Sequence, residues 1–256
     1  MSIDSRALHY VDNQPNEYQW TLLLIHGAGG SLAVWPPEFF ELPDCRVVAI
    51  DLPGHGLSSL PGRRLVEQYA LVVETFVTAM NLSGVVFVGH SLGSAIALTA
   101  AWRRTISLKG LILFGASARM PVGSPLLEGS IHSLNDVASF IADYGLMDAP
   151  AGSREEVRQQ ILNTGSMTTF GDFLACNRFD LRGVLAEMDV PSMIIAGRHD
   201  GMTPLRFSES LAASMPNSSL LVFEDCGHFA MLEHTRPVLS AMRNFLDRMA
   251  APRSEV

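Results

Sequence analysis

The chain has few basic residues for its length. It carries 18 Lys and Arg against 26 Asp and Glu among 256 residues, which gives a formal net charge of −8, and its basic residues do not cluster. Nucleic acids and anionic membrane surfaces are bound by clusters of Lys and Arg. The composition therefore argues against both as partners. A hydrophobic content of 48% is nevertheless sufficient for a substantial core.

Cysteine, targeting signals and long apolar runs are also scarce. Cys45, Cys176 and Cys226 are far apart, so they form neither a metal-type pair nor a disulfide framework. The first residues do not combine a basic with an apolar segment, as a secretory signal does. No apolar run approaches the roughly 18 residues of a membrane helix. We expect a cytoplasmic protein without a bound metal, and the sequence leaves open whether it is a monomer or a homodimer.

Short apolar segments alternate with amphipathic segments along most of the chain. The apolar segments predict an edge strand and six buried strands, over residues 7–12, 21–25, 45–50, 85–88, 108–114, 192–196 and 220–223. Helices are predicted over residues 64–80, 94–101, 204–215 and 237–249. This alternation is typical of an α/β protein with a doubly wound, mostly parallel sheet. A single domain over residues 1–256 fits the length.

Strand-like segments disappear between residues 118 and 189, which we call the helical insertion. Its pattern predicts short helices over residues 134–144, 154–162 and, in pieces, 170–188. Because it follows a strand of the predicted sheet, we place it above the carboxyl edge of that sheet. Ligands bind at this edge in doubly wound folds.

One stretch combines a strand, a sharp turn and a helix around a serine. Residues 85–98 read VVFVGHSLGSAIAL, with Ser91 at the apex and Gly89 and Gly93 two residues to either side. A side chain at either glycine would collide with the neighbouring backbone in a turn that exposes the hydroxyl. The stretch predicts a nucleophilic serine, although a strand-to-helix turn without chemistry remains the alternative for this segment alone.

A serine nucleophile needs a base within hydrogen-bond reach, held in place by a third group. Among the eight histidines, His228 lies between the last strand and the last helix, on a loop that can fold back over the sheet edge. We predict that His228 is the base. The other seven are assigned to turn, solvated or locally bonded roles: His9, His26, His55, His90, His132, His199 and His234.

The third group must lie at the same edge of the sheet. Asp200 follows a predicted strand in AGRHDGMTP, whereas Asp189 precedes that strand and so lies at its other end. Glu224 and Asp225 are too close to His228 in sequence to reach behind its ring. Asp200 is therefore the predicted partner of the histidine, and its alternative role is a turn aspartate that caps the following helix.

The order Ser91, Asp200, His228 is the serine–acid–histidine order of α/β-hydrolases. The chain resembles that superfamily from HGAGG through DLPGHGLSS, GHSLG and AGRHDGMTP to GHFAMLEHTRP. The resemblance implies the α/β-hydrolase fold and a catalytic triad of these three residues. It also implies that the helical insertion is the cap of the family.

Acyl transfer by a serine also needs hydrogen-bond donors for the tetrahedral oxyanion. The resemblance implies the backbone amide of Leu92 as one donor. The second comes from residues 26–31 (HGAGGS), which we call the glycine loop, where the amide of Ala28 is favoured and that of Gly29 is the alternative. GAGGSL has Leu32 where a dinucleotide fingerprint has its third glycine, and GHSLGSA lacks the phosphate-loop lysine. No cofactor is expected.

We interpret the chain as a serine hydrolase of the carboxylesterase type that cleaves small to medium esters through an acyl-enzyme, with an ester and water as its partners. One alternative is a carbon–carbon bond, lactone or thioester hydrolase, or an acyltransferase, of the same fold. Another is a small-molecule receptor that retains the triad. Candidate substrate-binding residues are apolar, and each of them is equally able to serve packing: Trp35, Met120, Phe140, Phe170 and Phe173.

Overall fold

A seven-stranded sheet lies at the centre of the computed structural model, which describes residues 2–3, 6–59 and 61–251. Its strands are β3 (Tyr10–Asp12), β4 (Trp20–Ile25), β5 (Cys45–Ile50), β6 (Val85–His90), β7 (Leu108–Phe114), β8 (Ser192–Gly197) and β9 (Ser218–Phe223). They follow the order β3-β5-β4-β6-β7-β8-β9 across the sheet. Strand β3 is antiparallel to β5, and the other neighbours are parallel. The predicted mostly parallel sheet is confirmed.

The predicted edge strand over residues 7–12 is divided in two. Strand β2 (Arg6–Ala7) pairs with β1 (Ser2–Ile3) in a separate antiparallel ribbon, and only β3 joins the main sheet. His9 lies between the two pieces, where its Nδ1 is 2.7 Å from Asp51 Oδ2. The chain leaves the sheet at this point, which the apolar pattern did not indicate.

Helices cover both faces of the sheet. In chain order they are α1 (Val66–Ala79), α2 (Leu92–Arg103), α3 (Ser124–His132), α4 (Leu134–Gly145), α5 (Ser153–Thr164), α6 (Ser166–Arg178), α7 (Leu205–Ser214), α8 (Ala230–Glu233) and α9 (Thr235–Ala250). Side chains of α1, α2 and α7 pack on the face that carries Leu23 and Ile25. Side chains of α8 and α9 pack on the face that carries Leu22 and Leu24. Each fully buried leucine of these layers contributes about 1.5–3 kcal/mol to folding.

The helical insertion contains α3 to α6 and a 3₁₀ turn over Leu185–Glu187. Helices α4 and α5 lie where the sequence predicts them, whereas α3 was not predicted. Pro125 lies in the first turn of α3, where proline is tolerated, so a segment that indicates a loop also begins a helix. An isolated bridge between Arg119 and Asp180 joins the two ends of the insertion.

Helix α9 and the turn before it also differ from the prediction. The predicted helix over residues 237–249 begins at Thr235, and the short helix α8 precedes it. Helix α7 also begins one residue later than predicted, because Pro204 lies directly before it.

Among the helices of the described ranges, none is long and apolar enough to cross a bilayer.

Candidate active site

Ser91 lies at a sharp turn between β6 and α2. Its φ of 52° and ψ of −115° are a strained backbone conformation for a residue with a side chain. The turn is close to its neighbours on both sides. A Cβ atom on Gly89 would overlap the Gly93 carbonyl, and one on Gly93 would overlap the Ile25 carbonyl. The two glycines are therefore required by the geometry that the sequence predicts.

His228 and Asp200 form a buried hydrogen-bonded pair. Asp200 follows β8 and His228 follows β9, and the two side chains are 1% and 5% exposed. The Nδ1–H of His228 donates to Oδ2 of Asp200 at 2.8 Å. The opposite ring nitrogen, Nε2, is then the one able to accept a proton. His228 and Ser91 border the same cavity.

Asp200 contacts His228 and also shapes the turn after β8, but it does not cap α7, because the amides that it accepts precede that helix. Its Oδ1 accepts the backbone amides of Met202 at 2.8 Å and Thr203 at 2.7 Å, as a turn aspartate does. Its Oδ2 faces His228. Burial alone would raise the pKa of Asp200, but His228 and the hydrogen bonds from Thr203 lower it below its usual value. The carboxylate is thus ionised and held in a fixed orientation.

Thr203 is a site residue that the sequence analysis missed. Its Oγ1–H donates to Asp200 Oδ2 at 2.7 Å, and the same oxygen is 3.2 Å from His228 Nδ1. The threonine therefore fixes the carboxylate oxygen that the histidine uses. A weak signal was present, because an aspartate in a turn accepts hydrogen bonds from the residues that follow it, and Thr203 lies three residues after Asp200.

His26 and His90 are buried near Ser91 but are held neutral. The Nδ1–H of His26 donates to the Gly27 carbonyl at 2.8 Å, and its Nε2 accepts the Leu52 amide at 3.0 Å. Burial and the neighbouring His55 lower the pKa of His26 to about 4. The Nε2–H of His90 donates to the His228 carbonyl at 3.2 Å, and burial and His228 hold the pKa of His90 well below its usual value. A ring whose pKa is lowered in this way is a poor proton acceptor, so neither His26 nor His90 is a candidate for the base.

The lowered pKa of His26 makes folding stability dependent on pH. Between pH 6.5 and about 4 the unfolded chain binds a proton at this residue and the folded chain does not. As the pH falls from 6.5 to about 4, we expect this residue to lower the free energy of unfolding by about 3 kcal/mol, at 1.36 kcal/mol per pKa unit. Urea unfolding of wild type, His26→Gln and the exposed-site control His132→Gln measures it. Equal pH dependence in wild type and His26→Gln would contradict the assignment.

The structure distinguishes between the two alternatives in the glycine loop. The amide of Gly29 donates to Asp172 Oδ2 at 2.9 Å, so it is already engaged. Ala28 borders the same cavity as Ser91. Leu92 is the first residue of α2, and the first amides of a helix have no acceptor within it. The arrangement favours Ala28 and Leu92 as the two donors.

Two apolar cavities meet at Ser91. The first encloses about 50 Å³ and the second about 250 Å³. Ser91 and three neighbours border both of them: Ala28, Phe173 and Met202. Among the described residues that line either cavity, none is Lys, Arg, Asp or Glu. The space around the serine is therefore suited to uncharged groups.

The predicted pocket residues divide into two groups. Met120, Phe140 and Phe173 line the second cavity, and Phe173 also lines the first. Phe170 borders neither cavity. Trp35 is 3% exposed and packs against Phe39 and Phe114, with ring centroids 5.3 and 5.8 Å away. The 3₁₀ turn over Leu32–Val34 directs the indole ring into the core, and Val34 borders the cavity instead.

Asp172, on α6, is a second residue that the sequence analysis missed. Besides the Gly29 amide, its Oδ2 accepts Nε2–H of His55 at 2.7 Å, and its Oδ1 accepts the Tyr69 hydroxyl at 2.6 Å. Both Asp172 and His55 are fully buried. Burial alone would lower the pKa of His55, but Asp172 raises it. This ion pair joins the helical insertion to the body of the protein, and no local pattern marks it.

Comparison with known proteins identifies the family to which the chain is similar. The family model described as the Alpha/beta hydrolase family matches residues 22–241. A hydrolase from Pseudomonas putida named for 2-hydroxy-6-oxononadienedioate and 2-hydroxy-6-oxononatrienedioate is 30% identical, over 93% of this chain and 91% of the relative. A pimeloyl-[acyl-carrier protein] methyl ester esterase from Aliivibrio salmonicida (strain LFI1238) is 27% identical, over 88% of this chain and 91% of the relative.

A solved structure of a thermophilic esterase resembles this chain in fold. It is 27% identical, with a TM-score of 0.84, over 97% of this chain and 96% of that one. The sheet order, the helices on both faces and these matches agree in identifying a hydrolase fold and a hydrolase enzyme. The chain belongs to the alpha/beta hydrolase family.

Proposed function

We propose that this protein is a serine hydrolase that cleaves small to medium, uncharged carboxylic esters through an acyl-enzyme. The observation that carries the proposal is the arrangement at the first cavity. Ser91, on a strained turn, and His228 border the same apolar space, and the buried Asp200 holds the histidine. This combination of nucleophile, base and orienting acid is the one that acyl transfer requires.

Each of these residues has a defined role in the proposed reaction. Ser91 Oγ attacks the ester carbonyl while Nε2 of His228 takes its proton, and Asp200 stabilises the imidazolium that forms. The amides of Ala28 and Leu92 donate to the oxyanion of the tetrahedral intermediate. His228 then protonates the leaving alcohol, and a water molecule activated by the same histidine releases the acid.

The absence of charge around Ser91 supports an ester over a dicarboxylate. The name of the Pseudomonas putida relative specifies dioates, which carry two carboxylates. Among the described residues that line the two cavities here, no lysine or arginine is present to pair with such a group. Burying an unpaired carboxylate costs several kcal/mol. The esterases among the matches are therefore the better guide to the substrate.

The helical insertion supplies much of the proposed binding site. Ile141 of α4, Ile161 of α5 and Phe173 of α6 line the first cavity together with residues of the body. We propose on this basis that residues 118–189 are a cap on a single hydrolase domain. The cap then determines which acyl and alcohol groups fit beside Ser91.

A panel of chromogenic substrates tests the proposal. We expect wild type to hydrolyse p-nitrophenyl butyrate with multiple turnovers, and with a kcat/KM about 100-fold above that for p-nitrophenyl hemisuccinate, whose carboxylate is left unpaired. Ester chain length from acetate to decanoate measures the size of the site. A 1,5-diketone substrate tests for cleavage of a carbon–carbon bond. The Ser91→Ala variant tests whether hydrolysis depends on the serine. Preference for the diketone or the hemisuccinate contradicts the proposal, and a single turnover indicates a receptor.

A further inference from the structure

Helices α5 and α6 of the insertion hold the glycine loop by direct hydrogen bonds to its backbone. Asp172 accepts the Gly29 amide at 2.9 Å. Thr164 Oγ1–H donates to the Gly29 carbonyl at 2.9 Å. Gln160 Oε1 accepts the amide of Ser31 at 3.1 Å. Both the donor and the acceptor of Gly29 are therefore engaged by residues more than 130 positions away in sequence.

The conformation of the loop depends on these contacts. Gly29 has a φ of 65°, in the left-handed region that favours glycine. A Cβ atom there would lie 3.2 Å from the Ile161 side chain, so the loop also packs tightly against α5. The peptide planes on both sides of Gly29 are fixed by Asp172 and Thr164. The Gly30 amide, which shares a peptide plane with the Gly29 carbonyl, donates to the Gly27 carbonyl at 3.2 Å. That carbonyl shares a peptide plane with the Ala28 amide, so the orientation of the Ala28 amide depends on the same contacts.

We propose that Thr164 and Asp172 are positioning residues for the oxyanion site. Through Gly29 they aim the Ala28 amide at the space beside Ser91, so the insertion completes the catalytic site as well as covering it. This inference rests on the proposed function, because it assigns the Ala28 amide to the oxyanion. Neither residue touches the substrate in this role, and their effect passes through the loop backbone.

Thr164 offers the cleaner variant, because it is only half-buried and valine has nearly its shape. Deleting an oxyanion donor costs about 10²–10³ in kcat, so misaligning one by Thr164→Val is expected to lower kcat about tenfold. KM should remain within about twofold, because the oxyanion forms only in the transition state. Thr164→Ser keeps the hydroxyl and should restore kcat.

Thr169 provides a matched control on α6. Within the described ranges its buried Oγ1 has no hydrogen-bond partner, so Thr169→Val removes a threonine hydroxyl nearby without releasing the loop. Its kcat should equal that of wild type. Hydrogen–deuterium exchange of residues 26–35 is the second readout. The amides of the loop should exchange faster in Thr164→Val than in Thr164→Ser or Thr169→Val.

The outcomes separate this inference from the proposed function. If wild type hydrolyses esters and Ser91→Ala does not, an equal kcat in Thr164→Val and Thr169→Val overturns the positioning role. If wild type hydrolyses no ester, the proposed function fails, and the exchange of the loop amides then decides whether α5 and α6 hold the loop. The oxyanion role falls with the proposed function in that case, and faster exchange in Thr164→Val then supports only the holding of the loop, which unchanged exchange would overturn as well.

Discussion

Ser91→Ala is expected to lower kcat for p-nitrophenyl butyrate by about six orders of magnitude, the loss found when the nucleophile of a known triad hydrolase is removed. The remaining groups cannot form an acyl-enzyme, because His228 then has no hydroxyl to activate. The alanine at residue 91 keeps the strained turn, so the loss reports on the oxygen and not on the fold.

Two controls accompany this variant. Ser214→Ala removes an exposed serine hydroxyl on α7 that borders neither cavity at Ser91, and it should leave kcat unchanged. Labelling with a fluorophosphonate should be complete in wild type and in Ser214→Ala and absent in Ser91→Ala. A decrease of less than about tenfold in Ser91→Ala would falsify the covalent mechanism, because even binding and oxyanion stabilisation alone leave only about 10³–10⁴-fold catalysis over water.

The parts of the site that could be predicted are those set by local geometry. Gly89 and Gly93 are needed by the turn at Ser91, and a Cβ atom at either position would overlap a carbonyl. Asp200 and His228 lie in the loops that follow β8 and β9, and the carboxyl ends of parallel strands meet at one edge of a sheet. The positions of Ser91, Asp200 and His228 after their strands were therefore enough to place their side chains at the same edge of the sheet.

The parts that could not be predicted depend on contacts between distant segments. The Gly29–Asp172 hydrogen bond joins residues 143 apart, and the His55–Asp172 pair joins residues 117 apart. Helix periodicity cannot reveal which side of α6 lies against the glycine loop. The direction of Trp35 was missed for a similar reason, because it depends on Phe39 and Phe114 in the folded core.

Glu233, like Asp172, is a carboxylate that joins the insertion to a loop of the candidate site, in this case the loop of His228. Glu233 of α8 accepts the amide of Gly227 at 3.0 Å and the amides of Met147 and Asp148, at 2.8 and 2.9 Å, from the insertion. The amide of His228 donates to the Gly145 carbonyl at the end of α4. The insertion thus contacts the loop of His228 as well as the glycine loop. The position of the insertion therefore affects the geometry of both parts of the candidate site.

Asp172→Ala is expected to lower the free energy of unfolding by about 3–5 kcal/mol, the cost of breaking a buried ion pair on one side. The substitution leaves the His55 ring without its partner in a fully buried position. It also removes the acceptor of the Tyr69 hydroxyl and of the Gly29 amide. Urea unfolding monitored by circular dichroism measures the loss.

The same pair predicts how this loss varies with pH. Asp172 raises the pKa of His55 above its usual 6.5. The stability that the His55–Asp172 pair contributes is therefore fully present below pH 6.5 and is lost as the pH rises through the raised pKa of His55. The difference between wild type and Asp172→Ala should therefore narrow at high pH. The exposed pair of Asp180 and Arg182 supplies a control, and Asp180→Ala should change stability little at either pH.

A double substitution separates the ion pair from the packing around it. Removing one partner of a buried ion pair leaves an uncompensated buried charge, whereas removing both charges together does not. His55→Gln combined with Asp172→Asn should therefore be more stable than the sum of the two single losses predicts, with a coupling energy of about 1–3 kcal/mol. Strictly additive losses would mean that the two residues stabilise the fold independently, and that the insertion is not held to the body by their charges.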